Sequence, residues 1–106
     1  LRVRSFTPGP FQHGVRDATL DSDEILGPGP EVYSLGPHEG NIHELQALED
    51  SAFFDILTPP YDPETGRDCT YYHLAAGRGN GSFVLMPVEL RDFYMDMIPY
   101  RGPAFN

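Results

Sequence analysis

The sequence predicts an all-β fold, and three observations carry that expectation. Short runs of alternating apolar and polar residues recur along the chain, the period of a strand with one buried face. Between them stand strong breaks, "GPHEG", "TPPYDPETGRD" and "GRGNG", built from residues that turn a chain. No segment holds a convincing helical period, and eleven Gly with eleven Pro in 106 residues favour short elements. Strands spaced this way fit an antiparallel sandwich or small barrel. A length of 106 residues suits one domain, 1–106, with one core.

The elements follow in order. "LRVRSF" sets Leu1 and Val3 against Arg2 and Arg4, a strand already under way at the first residue. A chain that opens in mid-strand is expected to be the rear, C-terminal part of a longer one. Residues 7–30, "TPGPFQHGVRDATLDSDEILGPGP", show no steady period and read as a long flexible loop, with His13 a solvated loop residue. "EVYSL" (31–35) is a strand candidate. In "NIHELQAL" (41–48), alternation puts His43, Leu45 and Ala47 on one face, which should turn toward an apolar interior. "AFFDILT" (52–58) groups Phe53, Asp55 and Leu57, and "CTYYHLA" (69–75) groups Cys69, Tyr71 and His73. "SFVLMPVE" (82–89) and "FYMDMI" (93–98) complete the set of strands. "HELQALEDSAFF" could pass for a short helix by composition, but Phe-Phe and the Pro-Pro stop suit a strand better.

Composition narrows the function classes. The net charge is -9 and all seven basic residues are arginine, so phosphate backbones are repelled and nucleic acid is not expected as a partner. A single cysteine excludes an internal disulfide framework and fits a reducing compartment. No apolar run approaches 18 residues. A soluble, cytoplasmic, monomeric protein without membrane partners is the expectation.

A few residues could carry chemistry. His43 is either a buried histidine satisfied by a carbonyl or a metal ligand, neutral imidazole being the commonest ligand for iron, zinc or copper. Asp55, set between Phe54 and Ile56, either faces solvent or accepts from a metal ligand or a substrate ammonium. In "TPPYD" two prolines make a stiff corner, so Tyr61 either packs on a rim or presents its hydroxyl to a pocket. Cys69 and Tyr71 lie two apart on the expected strand and leave the same face. They are a small thiol packed on a ring, or a pair joined by an oxidised thioether beside a redox metal. A Cys69–His73 hydrolase pair fails, because four strand positions span roughly 13 Å. A structural zinc site lacks any C-x₂-C spacing. "GRGNG" has no Lys-Ser/Thr after it and reads as a hairpin turn rather than a phosphate loop.

Taken together, "GNIHELQA", "FFDILTPPYDPETGRDCTYYH" and "PYRGPAF" resemble the 2-aminoethanethiol (cysteamine) dioxygenase and plant cysteine oxidase family. The pattern is a histidine, an aspartate twelve residues on, Pro-Pro-Tyr, then Gly-Arg-Asp-Cys-x-Tyr-Tyr, and it covers most of residues 31–106. The resemblance implies a cupin-type small β-barrel (a double-stranded β-helix) holding non-haem Fe(2+) by three histidines. His43 would be the third ligand, Asp55 and Tyr61 substrate-binding residues, and Cys69 with Tyr71 the pair able to form a thioether crosslink. The implied reaction is O₂-dependent oxidation of a thiol to a sulfinic acid. Its substrates would be cysteamine or a protein's N-terminal cysteine, the latter feeding an oxygen-sensing degradation route. The family's other two ligands form a His-x-His motif, which appears nowhere in the 106 residues. They are expected upstream, in a barrel that this chain completes only in part. The rival expectation, from a different class, is a metal-free cupin-like binding module.

Overall fold

The structure, a computed structural model, describes residues 1–89 and 95–104. Five strands form one antiparallel sheet: β1 (Arg2–Gln12), β2 (Val15–Ile25), β3 (Ile42–Gln46), β4 (Tyr71–Gly79) and β5 (Ser82–Val88). Their order is β3-β1-β2-β5-β4, so β3 and β4 are the two edges. The sheet curls into half of a barrel, and the all-β class holds. Helical structure is limited to a 3₁₀ turn at Pro63–Thr65 among the described residues, and no helix there is long and apolar enough to cross a membrane.

Residues 7–30 depart furthest from expectation. Instead of an irregular connection, Thr7–Gln12 continue β1 and Val15–Ile25 form β2, joined as a hairpin. His13 (φ 54°) and Gly14 (φ 78°) make its two-residue turn, both in the left-handed region that such a turn demands. The prolines that hid the strand are tolerated by position. β1 pairs with β3 only through Phe6, and its register with β2 slips between Pro8 and Phe11. Pro8 and Pro10 therefore fall where one side of the strand is unpaired or bulged, and no ladder donor is missed.

Other boundaries move as well. "EVYSL" and "AFFDILT" carry no strand, because neither finds a partner among the described residues. Alternation permits a strand, but pairing makes one. β3 stops at Gln46, leaving Ala47 outside it. β4 starts at Tyr71, so Cys69 and Thr70 precede the strand, and it runs on to Gly79. The expected hairpin turn in "GRGNG" is present, with Asn80 (φ 53°) and Gly81 (φ 75°) at its two central positions. Of "FYMDMI", Phe93 and Tyr94 lie outside the described residues, and Met95–Ile98 have no regular structure.

The core lies on the concave face. Register sets Phe6 opposite Ile42, Ala18 opposite Phe83 and Leu74 opposite Leu85, so their side chains share one side. Phe6, Ala18 and Leu85 are buried, and Leu20, Tyr72 and the others pack against them. Phe6 meets Phe83 edge to face, with centroids 5.4 Å apart, the geometry that ring quadrupoles favour. The convex face buries Val3 and Ser5. There Ser5 is satisfied by Ser22 (2.6 Å), which also meets the Tyr33 hydroxyl (2.8 Å).

Truncation at the centre of this core should cost most. Phe6→Ala in the full-length protein is expected to lower stability by about 3–5 kcal/mol in urea denaturation. A loss below about 1 kcal/mol would mean that Phe6 is not in the core.

Candidate active site

The curl turns both edges of the sheet toward one groove of about 540 Å³. From β3 come His43 and Glu44; from the loop before β4, Tyr61 and Cys69; from β4, Tyr71 and Tyr72. Phe6, Leu74 and Leu85 form its apolar floor. Four of the residues singled out in the sequence thus meet in one place: His43, Tyr61, Cys69 and Tyr71. Asp55 is exposed and outside the lining, yet its charge reaches Tyr61.

The entry into β3 fixes His43. Gly40 takes φ +63°, and its N–H donates to Thr7 Oγ1 (3.0 Å), which in turn donates to Asp21 (2.8 Å). A Cβ on Gly40 would sit 3.0 Å from Asp21 Oδ2, so the tight approach needs glycine. Asn41 follows, its Oδ1 buried without a hydrogen-bond partner among the described residues. β3 then pairs with β1, His43 lying opposite Ser5, while Glu44 holds Arg4 at 2.8 Å. His43 is exposed rather than buried in an apolar interior: register puts it on the face of Ser5, opposite the Phe6 floor, so it borders the groove only at the β3 edge. Nδ1 lies 3.3 Å from the Asn41 carbonyl. With Nδ1–H donating there, Nε2 keeps its lone pair for a ligand.

Tyr61 and Cys69 become neighbours through a closed loop. Asp62 N–H donates to Arg67 O (2.6 Å) and Arg67 N–H returns to Asp62 O (2.9 Å), pinching residues 62–67 shut. Inside, Pro63–Thr65 make the 3₁₀ turn and Gly66 ends it at φ 84°. The Arg67 side chain donates to Pro60 O (3.0 Å), holding the preceding corner. Asp68 accepts the Cys69 N–H at 2.8 Å. Side chains on both flanks of the pinch therefore converge.

That convergence is electrostatic as well as geometric. Burial pushes the Tyr61 hydroxyl above the ordinary phenol range, and the Cys69 thiolate and its hydrogen bond push it further, with Tyr71 and Asp55 adding to the effect. Tyr71 is raised chiefly by the charge of Cys69 and by its hydrogen bond to that sulfur. Cys69 and Tyr71 border the same groove, with Cys69 in the loop that leads into β4 rather than within the strand.

Sequence reading missed Arg16 because it fell within the supposed loop. On β2 it enters the same groove, its Nε 3.3 Å from Gly9 O, its Nη1 3.3 Å from the Tyr72 hydroxyl, and its guanidinium 5.0 Å from the Phe11 ring centre. No local signal marked it, since "HGVR" lacks the Asn-Gly or Asp-Gly of a conventional hairpin.

Comparison with known proteins places the chain. The family model described as PCO_ADO matches residues 4–105. The chain belongs to the PCO_ADO family. It is 40% identical to 2-aminoethanethiol dioxygenase of Mus musculus and 38% identical to that of Homo sapiens, each over 85% of this chain. It spans 39% and 37% of their respective lengths. A probable 2-aminoethanethiol dioxygenase of Dictyostelium discoideum is 47% identical over 48% of the chain and 23% of its own length. No solved structure matches the chain.

Among the described residues there is no group of three or more His, Cys, Asp or Glu placed to hold a metal. His43 is the one imidazole lining the groove among them.

Two substitutions separate the causes of the tyrosine shifts. Cys69→Ser should bring the titrations of both Tyr61 and Tyr71 down toward the ordinary phenol value, read by tyrosinate absorbance. Gly66→Val cannot hold φ 84° without strain, so it should open the loop and lower Tyr61 while leaving Tyr71 raised. Unchanged titrations in Cys69→Ser would show that the sulfur does not touch either ring.

Proposed function

We propose that this PCO_ADO chain is the catalytic C-terminal part of an iron(II) thiol dioxygenase. The observation that carries the reading is the single groove in which His43, Tyr61, Cys69 and Tyr71 converge. The overall reaction is RSH + O₂ → RSO₂H, with both oxygen atoms delivered to sulfur. His43 supplies one iron ligand through Nε2, and two further imidazoles come from residues preceding Leu1. The family match and the likeness to 2-aminoethanethiol dioxygenases of mouse and human, of which the chain spans 39% and 37%, support the dioxygenase reading.

The chain's own residues shape the substrate end. Tyr61, like any phenol, is neutral at physiological pH, and its upward shift takes its titration still further away, so it keeps its hydroxyl hydrogen to donate and its oxygen to accept. Asp55, whose charge reaches Tyr61, adds negative potential where a substrate ammonium would rest. The substrate is therefore an aminothiol, cysteamine or the N-terminal cysteine of a peptide. A monomer in the reducing cytoplasm fits the lone thiol and the acidic surface.

Cys69 and Tyr71 form the crosslinking pair. A bond from Sγ to the ring carbon beside the hydroxyl replaces S–H and C–H, two electrons and two protons passing to O₂ to give H₂O₂.

The full-length protein tests the reading. It should contain iron and consume one O₂ per thiol oxidised with cysteamine or a Cys-initiated peptide, and His43→Ala should lose iron and at least about 100-fold in turnover. A folded, iron-free protein that binds peptides without consuming O₂ would favour a binding module instead. For the crosslink, intact mass should fall by two hydrogens in the active protein, and Cys69→Ser should restore them. An unaltered mass after turnover would leave Cys69 as a hydrogen-bond partner only.

A further inference from the structure

Arginines in this acidic chain are mostly neutralised. Arg2, Arg4, Arg67 and Arg78 each meet a carboxylate within 4 Å, at Asp23, Glu44, Asp62 and Asp17 respectively. Arg16 is half-buried in the groove and meets none among the described residues. The two carboxylates lining the groove are already engaged, Glu44 by Arg4 (2.8 Å) and Asp68 by the Cys69 N–H (2.8 Å). A guanidinium has five N–H donors, and Arg16 spends two of them, on Gly9 O and the Tyr72 hydroxyl. Phe11 covers one side of its plane, so the head is held in place while donors remain unspent. Taking a cation partly out of water without a counter-ion is unfavourable unless something is to meet it.

We infer that Arg16 is a specificity-determining residue of this groove, binding a carbonyl or carboxylate oxygen that the substrate carries beyond its aminothiol unit. The inference rests on the thiol dioxygenase reading and deepens it. Cysteamine has no such oxygen. A Cys-initiated peptide does, on the carbon that also bears the amine. Thiol and amine are common to both substrates, so neither Asp55 nor Tyr61 can separate them. Arg16 can.

The test uses full-length protein with Arg16→Met, Arg16→Lys and Tyr72→Phe. The ratio of kcat/KM for a Cys-initiated peptide to that for cysteamine should fall about 10–100-fold in Arg16→Met, chiefly through KM, as for a lost charge-assisted hydrogen bond. Arg16→Lys keeps the charge but not the fork and should lose at least about 3-fold. Tyr72→Phe, which frees one tether, should lose less than Arg16→Met. A ratio unchanged within about 2-fold in either Arg16 variant overturns the inference, and where Arg16→Met does not fold, Arg16→Lys decides. Calorimetric binding of the corresponding Ser-initiated peptide needs no turnover. It should weaken about 10-fold or more in Arg16→Met, and equal affinity would overturn the inference. If wild-type protein oxidises neither thiol, the dioxygenase reading fails, while the binding arm still judges Arg16.

Discussion

The site depends on the curl of one sheet. In a flat five-stranded sheet the edges β3 and β4 would stand some four strand spacings apart, roughly 19 Å. Twist and bulges bend it instead, and register slips of the kind that bend a sheet occur in both the β1–β2 and the β4–β5 pairs. Because β3 and β4 are edges, their ends are free to carry polar side chains into the groove without breaking a ladder. Apolar residues of the interior strands fill the floor. One backbone constraint therefore accounts for both the small core and the polar rim above it.

Two local devices set the rim within that frame. At one edge Gly40, close-packed on Asp21 and Thr7, delivers Asn41 and His43. At the other, the two-way hydrogen bonding of Asp62 and Arg67 folds a segment otherwise poor in regular structure. It brings Tyr61 against Cys69 with no strand to hold either. Loops carry chemistry when their ends are clamped, and this loop is clamped by its own backbone.

Much of this was legible in the sequence, for reasons that differ by residue. β3 and β5 were found as short runs between breaks, β5 as an apolar stretch, and the Asn80–Gly81 turn through its dipeptide. The β1–β2 hairpin stayed hidden because Pro8 and Pro10 look prohibitive until one sees that their side of the strand is unpaired. "AFFDILT" misled in the opposite direction: its period is right, but pairing is a long-range property that no short run reveals. A Cys69–Tyr71 pair was read from strand spacing, whereas the approach of Tyr61 to Cys69 arises from a loop closure encoded in "DPETGR". Burial of His43 failed because register turns it to the face of Ser5, and register, like pairing, is set by topology. Arg16 was invisible for the same reason, its role depending on a strand not recognised as one.

In the proposed dioxygenase, β3 and the loop before β4 bring His43, Tyr61 and Cys69 to one groove that would hold the iron. Crystals of the full-length protein, measured for anomalous scattering at the iron edge, test it most directly. The account predicts one strong peak bonded to His43 Nε2, inside the groove and flanked by Tyr61 and Cys69. A peak bonded elsewhere, with the His43 ring facing solvent in iron-loaded protein, would contradict it.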